Sequence, residues 1–300
     1  MVLVSSTSKL HQPVMLKEVL DYLEIKENGI YVDNTFGTGG HSEAILTKLK
    51  NGKLIAFEWD QKEFELARQN KFFADPRFTL LNDNFANLEK SLRARNVSQV
   101  DGFLFDLGLS SYHLVDETRG FSYRADAPLD MRINPANQIN AEEIINAYPE
   151  KKLAEIFYSY GEEKRARLIA RKIVYWRKKT PLATTQQLVG IVASCFPHKK
   201  KQHPARKVFQ ALRIFINQEL SNLSLALEEA FKYLAPGGKI IVISYHSLED
   251  RIVKQNFKQK CSSFTNFTLR TKKPLRPSAA EISQNHRARS AKMRILVRVN

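Results

Sequence analysis

Between Ile30 and Asp106 short apolar runs alternate with amphipathic stretches, and that rhythm restricts the chain more than any other feature. Ile30 to Asp33, Lys53 to Glu58, Phe78 to Leu81 and Val100 to Asp106 read as strands, with helical patterns over Ser42 to Lys50, Gln61 to Phe73 and Asn87 to Arg95 between them. Strands joined by helices at this spacing predict βαβ units, hence an α/β fold with a doubly wound sheet. After Asp106 the rhythm stops. Residues 107–140 are rich in turn formers, and 141–235 show helical periodicity with no convincing strand, broken at Pro149, Pro181, Pro197 and Pro204. Ala235-Pro236-Gly237-Gly238 then predicts a turn, Lys239 to Ser244 a buried strand, and Ser247 to Lys258 a helix opened by a Ser247/Asp250 capping box. Two further β-prone runs, Phe264 to Thr271 and Met293 to Val299, predict an antiparallel end to the sheet. The expectation is a core built from residues 1–110 and 214–300, interrupted by a helical insertion at 111–213.

Hydrophobic residues make up 43% of the 300, enough for a real core, yet the apolar runs are strand-sized and fall short of the roughly 18 residues a membrane helix needs. Met1 to Leu10 has Ser and Thr where a signal peptide has its apolar region, which predicts a cytoplasmic protein. Cys195 and Cys261 stand far apart with no ligand-spaced partner, so neither zinc nor a disulfide scaffold is expected. The formal charge of +16 is unevenly spread. Residues 151–213 hold 16 basic and 3 acidic side chains and residues 251–300 hold 13 and 1, whereas the remainder is mildly acidic. Two basic clusters on an acidic background point to nucleic acid, with anionic lipid the weaker alternative.

The segment Asp33-Asn34-Thr35-Phe36-Gly37-Thr38-Gly39-Gly40-His41 follows the first strand and opens a helix, where a doubly wound sheet binds nucleotide-like cofactors. Glu58, at the end of the second strand, is placed to accept hydrogen bonds from ribose hydroxyls. The glycine pattern lacks the third glycine of a dinucleotide fingerprint, and Asp33 suits an ammonium and a sulfonium better than two phosphates. S-adenosylmethionine is therefore favoured, with a nicotinamide dinucleotide left as the alternative. Asn82-Asp83-Asn84-Phe85, after the third strand, offers polar contacts and an aromatic surface for an adenine. Asp106 ends the fourth strand beside the switch point, where a carboxylate can accept a proton from an exocyclic amine. No metal is required for that chemistry.

Taken in order, these segments resemble the ribosomal RNA small subunit methyltransferase H family along nearly the whole chain. The matching pieces are His11-Gln12-Pro13-Val14-Met15, Asp33 to Ser42, Asp106 to Ser111, Arg119-Gly120-Phe121-Ser122-Tyr123 with Pro128 to Arg132, His203-Pro204-Ala205-Arg206 with Phe209 to Ile214, Asn217 to Leu220, Tyr245 to Arg251, and Pro277-Ser278 with Arg289 to Lys292. The resemblance implies a class I methyltransferase-like core that uses S-adenosyl-L-methionine to methylate the N4 amine of a cytosine in 16S rRNA within the small ribosomal subunit. It also implies a cofactor site lined by Gly39, Gly40, His41, Glu58, Phe85, Asp106 and His113. Glu58 stands where the family usually has Asp, His113 where it often has Gln, and His286 where it frequently has Pro. Arg206, Lys207, Arg287, Arg289 and Lys292 are candidates for phosphate contacts, the insertion for an RNA-recognising roof, and Tyr245-His246-Ser247 for holding a flipped base. Asp130 and Arg132 are expected to pair with each other. Two rivals stand beside this reading: a non-catalytic ribosome assembly factor and a nicotinamide-dependent oxidoreductase. Oligomeric state is not legible in the sequence.

Overall fold

The computed structural model describes residues 12–69, 71–110, 112–113, 116, 118–196, 198 and 202–299. His11, Ser111, Pro197, Lys199 to Lys201 and the segment Met1 to Leu10 lie outside the described residues. The chain divides into two compact units, one comprising the described residues up to 110 and from Leu220 onward, the other Tyr112–Glu219.

The first unit is built on a seven-stranded sheet of order β3-β2-β1-β4-β5-β7-β6. Strands β1 (Ile30–Asp33), β2 (Lys53–Phe57), β3 (Phe78–Leu81) and β4 (Val100–Asp106) fall where the apolar runs predict them, and β5 (Leu234–Ser244) joins β4 in parallel. β6 (Phe267–Leu269) and β7 (Lys292–Arg298) close the sheet, β7 antiparallel to both neighbours, as the two β-prone runs of the tail imply. This is the expected doubly wound α/β architecture, and its order reverses between β1 and β4.

Alternation along each strand explains why both faces are covered. Leu54, Ala56, Leu104, Ile241 and Ile243 are buried on one face with Val19 and Leu23 of α1 (Leu16–Leu23) and Ile45 and Leu46 of α2 (Gly40–Leu46). Ile55, Phe57, Phe103, Phe105, Ile240 and Val242 are buried on the other. There they meet Leu88 and Leu92 of α4 (Leu88–Arg93), Leu223, Leu227 and Phe231 of α10 (Glu219–Tyr233), and Val253 and Phe257 of α11 (Ser247–Ser263). α3 (Gln61–Ala67) follows β2 and starts at Asp60, whose Oδ1 accepts from the Lys62 and Glu63 amides.

The second unit is helical: α5 (Ala141–Ala147), α6 (Glu150–Gly161), α7 (Ala166–Arg177), α8 (Thr185–Ala193) and α9 (Arg206–Asn217). Capping boxes at Asn140/Glu143 and Thr184/Gln187 start α5 and α8. Leu153, Ile156, Phe157, Ile169, Ile173, Val208 and Leu212 form its buried interior. Asn217 ties the unit's long polar segment to α9: its Nδ2 donates to the Met131 and Arg213 carbonyls, and its Oδ1 accepts from the Ile133 amide. Asp130 and Arg132 form a two-pronged ion pair at 2.7 and 2.9 Å, so their expected mutual pairing is what the structure contains. Among the described residues no helix is long and apolar enough to cross a membrane. Cys195 and Cys261 are both free thiols.

Candidate active site

The sheet order brings the ends of β1, β2 and β4 to one edge, and the predicted glycine turn leaves β1 at that point. Its geometry depends on residues without a β-carbon. Gly39 has φ +83°, in the left-handed region, and a β-carbon on Gly40 would stand 2.3 Å from Pro13 Cγ. The turn is tied down at both ends: the Gly39 amide donates to the Phe36 carbonyl at 2.8 Å, and the Gly37 amide donates to Glu58 Oε2 at 3.0 Å. Glu58 Oε1 accepts from the Asp60 amide at 2.9 Å. A carboxylate at the end of β2 thus reaches the β1 turn directly, and its remaining lone pairs stay available to a ligand. Phe85 follows β3 in a short 3-10 turn capped by Asn84 and meets Phe105 edge-on at 5.9 Å. Asn82 and Asp83 bond within the protein, to the Glu58 carbonyl and to Asn87 respectively.

Asp33 and Asp106 lie deeper. Asp33 is buried, with Oδ2 accepting from Ser42 Oγ at 2.7 Å and Oδ1 from the Thr35 amide at 3.1 Å. Thr35 Oγ1 in turn accepts from the Asp106 amide at 2.6 Å, which locks the glycine turn to the end of β4. Asp106 Oδ1 accepts from the Tyr245 hydroxyl at 2.6 Å, and its Oδ2 lies 3.6 Å from His41 Nδ1. His41 Nε2 is 3.0 Å from the Val14 carbonyl. A carbonyl can only accept, so Nε2 carries a hydrogen, and Nδ1 is the ring nitrogen that faces Asp106.

The sequence offers Tyr245 for a flipped base and does not foresee its bond to Asp106. Tyr245 stands at the same sheet edge, just past β5, but its hydroxyl is on Asp106. The loop holding it is braced by Glu249, whose Oε2 accepts from the Tyr245 and His246 amides. The same contacts correct the expected cap of α11: the cap is His246, paired with Glu249, and not Ser247 with Asp250. Imidazole Nδ1 serves as the acceptor for the Glu249 amide.

Burial dominates the electrostatics. It pushes the Asp106 carboxyl up to about 6, against the pull of His41 and the Tyr245 hydrogen bond. Burial also raises Asp33, and it raises Glu58 well above its usual range with the nearby Glu63 carboxylate adding to the effect. Three acids short of countercharge around one turn suit a cationic ligand and oppose a pyrophosphate. That is the charge pattern of a sulfonium cofactor, and it disfavours the nicotinamide alternative.

The remaining predicted residues fall in both units. His113 belongs to the second unit, buried edge-on to Phe121 at 4.9 Å. There too, Arg206 bonds Gln202 at 2.9 Å and Lys207 Nζ donates to the Glu162 carbonyl at 2.6 Å. In the first unit Lys292 Nζ donates to Asp250 Oδ2 at 2.8 Å, a bond shared with Arg294 on Oδ1. Arg287 is half-buried, which holds its guanidinium below its usual range, while Arg289 is exposed.

The chain is 44% identical over 295 residues to a ribosomal RNA small subunit methyltransferase H of Desulfotalea psychrophila, covering 97% of this chain and 99% of that one. It is 44% identical over 305 residues to the protein of the same name from Oenococcus oeni, covering 95% and 97%. A solved structure of an rRNA methylase from Streptococcus thermophilus is a more distant likeness, at 12% identity and a TM-score of 0.45 over 97% of this chain and 99% of that one. Residues 8–299 match the MraW methylase family, and the chain belongs to that family.

Proposed function

We propose that this protein methylates the N4 amine of a cytosine in 16S rRNA of the small ribosomal subunit, in the cytoplasm, with S-adenosyl-L-methionine as methyl donor. The observation that carries the reading is the Asp106 carboxylate at the end of β4, bonded by Tyr245 and adjoining both His41 and the glycine turn. Gly39, Gly40 and His41, with Glu58 and Phe85, form the binding surface for the donor, and His113 joins them by the family resemblance. When bound, S-adenosylmethionine supplies a methyl carbon on a cationic sulfur that leaves as a neutral thioether.

Asp106 does the protein's part of the chemistry. Tyr245 occupies its Oδ1, so Oδ2 is the oxygen that accepts from the cytosine N4–H, raising electron density on nitrogen and taking the proton as the new N–C bond forms. His41 Nδ1 faces that same oxygen at 3.6 Å and orients it. Ser42 and Thr35 hold Asp33, whose negative charge favours the cationic donor over its neutral product. Arg206, Lys207, Arg287, Arg289 and Lys292 supply positive potential for the RNA backbone, and the helical unit takes part in recognition.

Incorporation of labelled methyl into small subunits from a strain lacking the enzyme tests the reading. Asp106→Ala should abolish transfer while the protein stays folded. Full transfer by that variant refutes the base assignment. A wild-type protein that binds RNA without transferring methyl supports the assembly-factor rival instead.

A further inference from the structure

One helix of the second unit is charged unlike the rest of the chain. Residues 164–179, which contain α7, hold eight Lys and Arg side chains and no Asp or Glu. Three of these cations brace the helix: Arg165 donates to the Cys195 carbonyl and lies over the Phe196 ring at 4.9 Å, Lys172 Nζ donates to the Ser194 carbonyl at 2.9 Å, and Arg177 donates to the Ile145 carbonyl at 2.7 Å. The other five, Lys164, Arg167, Arg171, Lys178 and Lys179, are exposed. Lys164, Arg167 and Lys178 make no ion pair among the described residues, and Arg171 reaches Glu150 only at 3.9 Å.

The aromatic side chains of the same helix are exposed as well. Ala166, Ile169, Ala170 and Ile173 are buried, but Tyr175 and Trp176 are 55% and 46% exposed. The two rings meet edge to face at 5.8 Å, and Lys179 Nζ stands 4.6 Å from one centroid and 5.1 Å from the other. Two large rings left in water beside unpaired cations match a ligand that has both phosphates and flat apolar units. A lipid surface fits less well, because a membrane-seated helix inserts its apolar side and that side of α7 is already used within the unit.

We propose that the outward face of α7 binds a single-stranded stretch of the RNA substrate, an unpaired base stacking on Tyr175 or Trp176 and backbone phosphates meeting Arg167, Arg171 and Lys178. The proposal rests on the RNA-methylating function given above.

Trp59→Phe leaves Trp176 as the sole tryptophan of the chain. Oligouridylate should quench its emission, and inorganic polyphosphate should not. Replacing Tyr175 and Trp176 together by Ala should weaken binding of a labelled single-stranded rRNA fragment about tenfold. Arg167→Glu with Lys178→Glu should also weaken it and flatten its salt dependence. Unchanged RNA affinity in both double variants overturns the proposal, as does quenching by phosphatidylglycerol vesicles with none by RNA. These readouts do not pass through methyl transfer. Quenching and weakened binding in a protein that transfers no methyl would sustain the surface and sink the function. Efficient methylation by both double variants at wild-type KM would remove the surface alone.

Discussion

Burial raises the Asp106 carboxyl from 3.8 to about 6, so the folded protein holds that proton more tightly than the unfolded chain does. The sign follows: the ionised form costs stability, the cost appearing as pH rises through the interval from about 4 to about 6 and complete above it. It amounts to at most about 3 kcal/mol. Asp106→Asn should therefore gain up to that amount in urea unfolding at pH 7.5, and the gain should vanish near pH 3.5. Tyr245→Phe tests the other half of the arrangement. Its hydroxyl favours the ionised carboxylate, so its loss should move the acid limb of kcat/KM to higher pH and lower the rate about tenfold or more. A slower enzyme with an unmoved limb would make Tyr245 merely structural. Asp106, Glu58 and the glycines were legible because each sits at a strand end recognisable from local pattern. The Tyr245 contact was not, because it joins residues 139 apart in the chain and only the sheet order makes them neighbours.

At the scale of elements, strand positions follow from apolar alternation, but helix ends do not. Ser42 to Lys50 reads as one helix, yet the regular helix ends at Leu46, and Lys48 and Leu49 donate three residues back to Ile45 and Leu46. Gln61 to Phe73 likewise splits into α3 and a 3-10 turn at Lys71–Ala74. Ala235 to Gly238 is a turn signal that the structure realises inside a strand: Val100 pairs with Leu234, Gly102 pairs with Lys239, and the intervening residues bulge out. The α11 cap was misplaced by one residue because histidine is an uncommon cap, usable here through its Nδ1 lone pair. Glu249 completes that cap and also fixes the Tyr245 amide, which couples an element's start to the catalytic edge. Glu249→Ala should cost about 1–2 kcal/mol of stability. Glu249→Gln, which retains an oxygen acceptor, should recover much of that stability in urea unfolding.

Over the whole molecule, charge divides the chain more sharply than its fold class suggests. With basic residues concentrated in 151–213 and 251–300, RNA affinity should fall steeply with added salt, read as the slope of log Kd against log salt. Arg289→Glu should weaken binding and leave the melting temperature alone, because that side chain is exposed. Arg287→Glu should lower both, because it places the new charge where burial already disfavours one. The two basic regions were legible as composition. Which cations face solvent was not, since Lys207 and Lys292 are engaged by groups far along the chain.

β4 and β5 are partners in the sheet but lie on either side of the Tyr112–Glu219 unit. During synthesis β4 emerges about 130 residues before its neighbour, and closing so long a loop costs about 2 kcal/mol more than closing a tenfold shorter one. An unmatched hydrogen-bonding edge beside Phe103 and Phe105 must therefore wait through translation of the entire helical unit. Nascent chains stalled in that window are the ones that should recruit chaperones and aggregate.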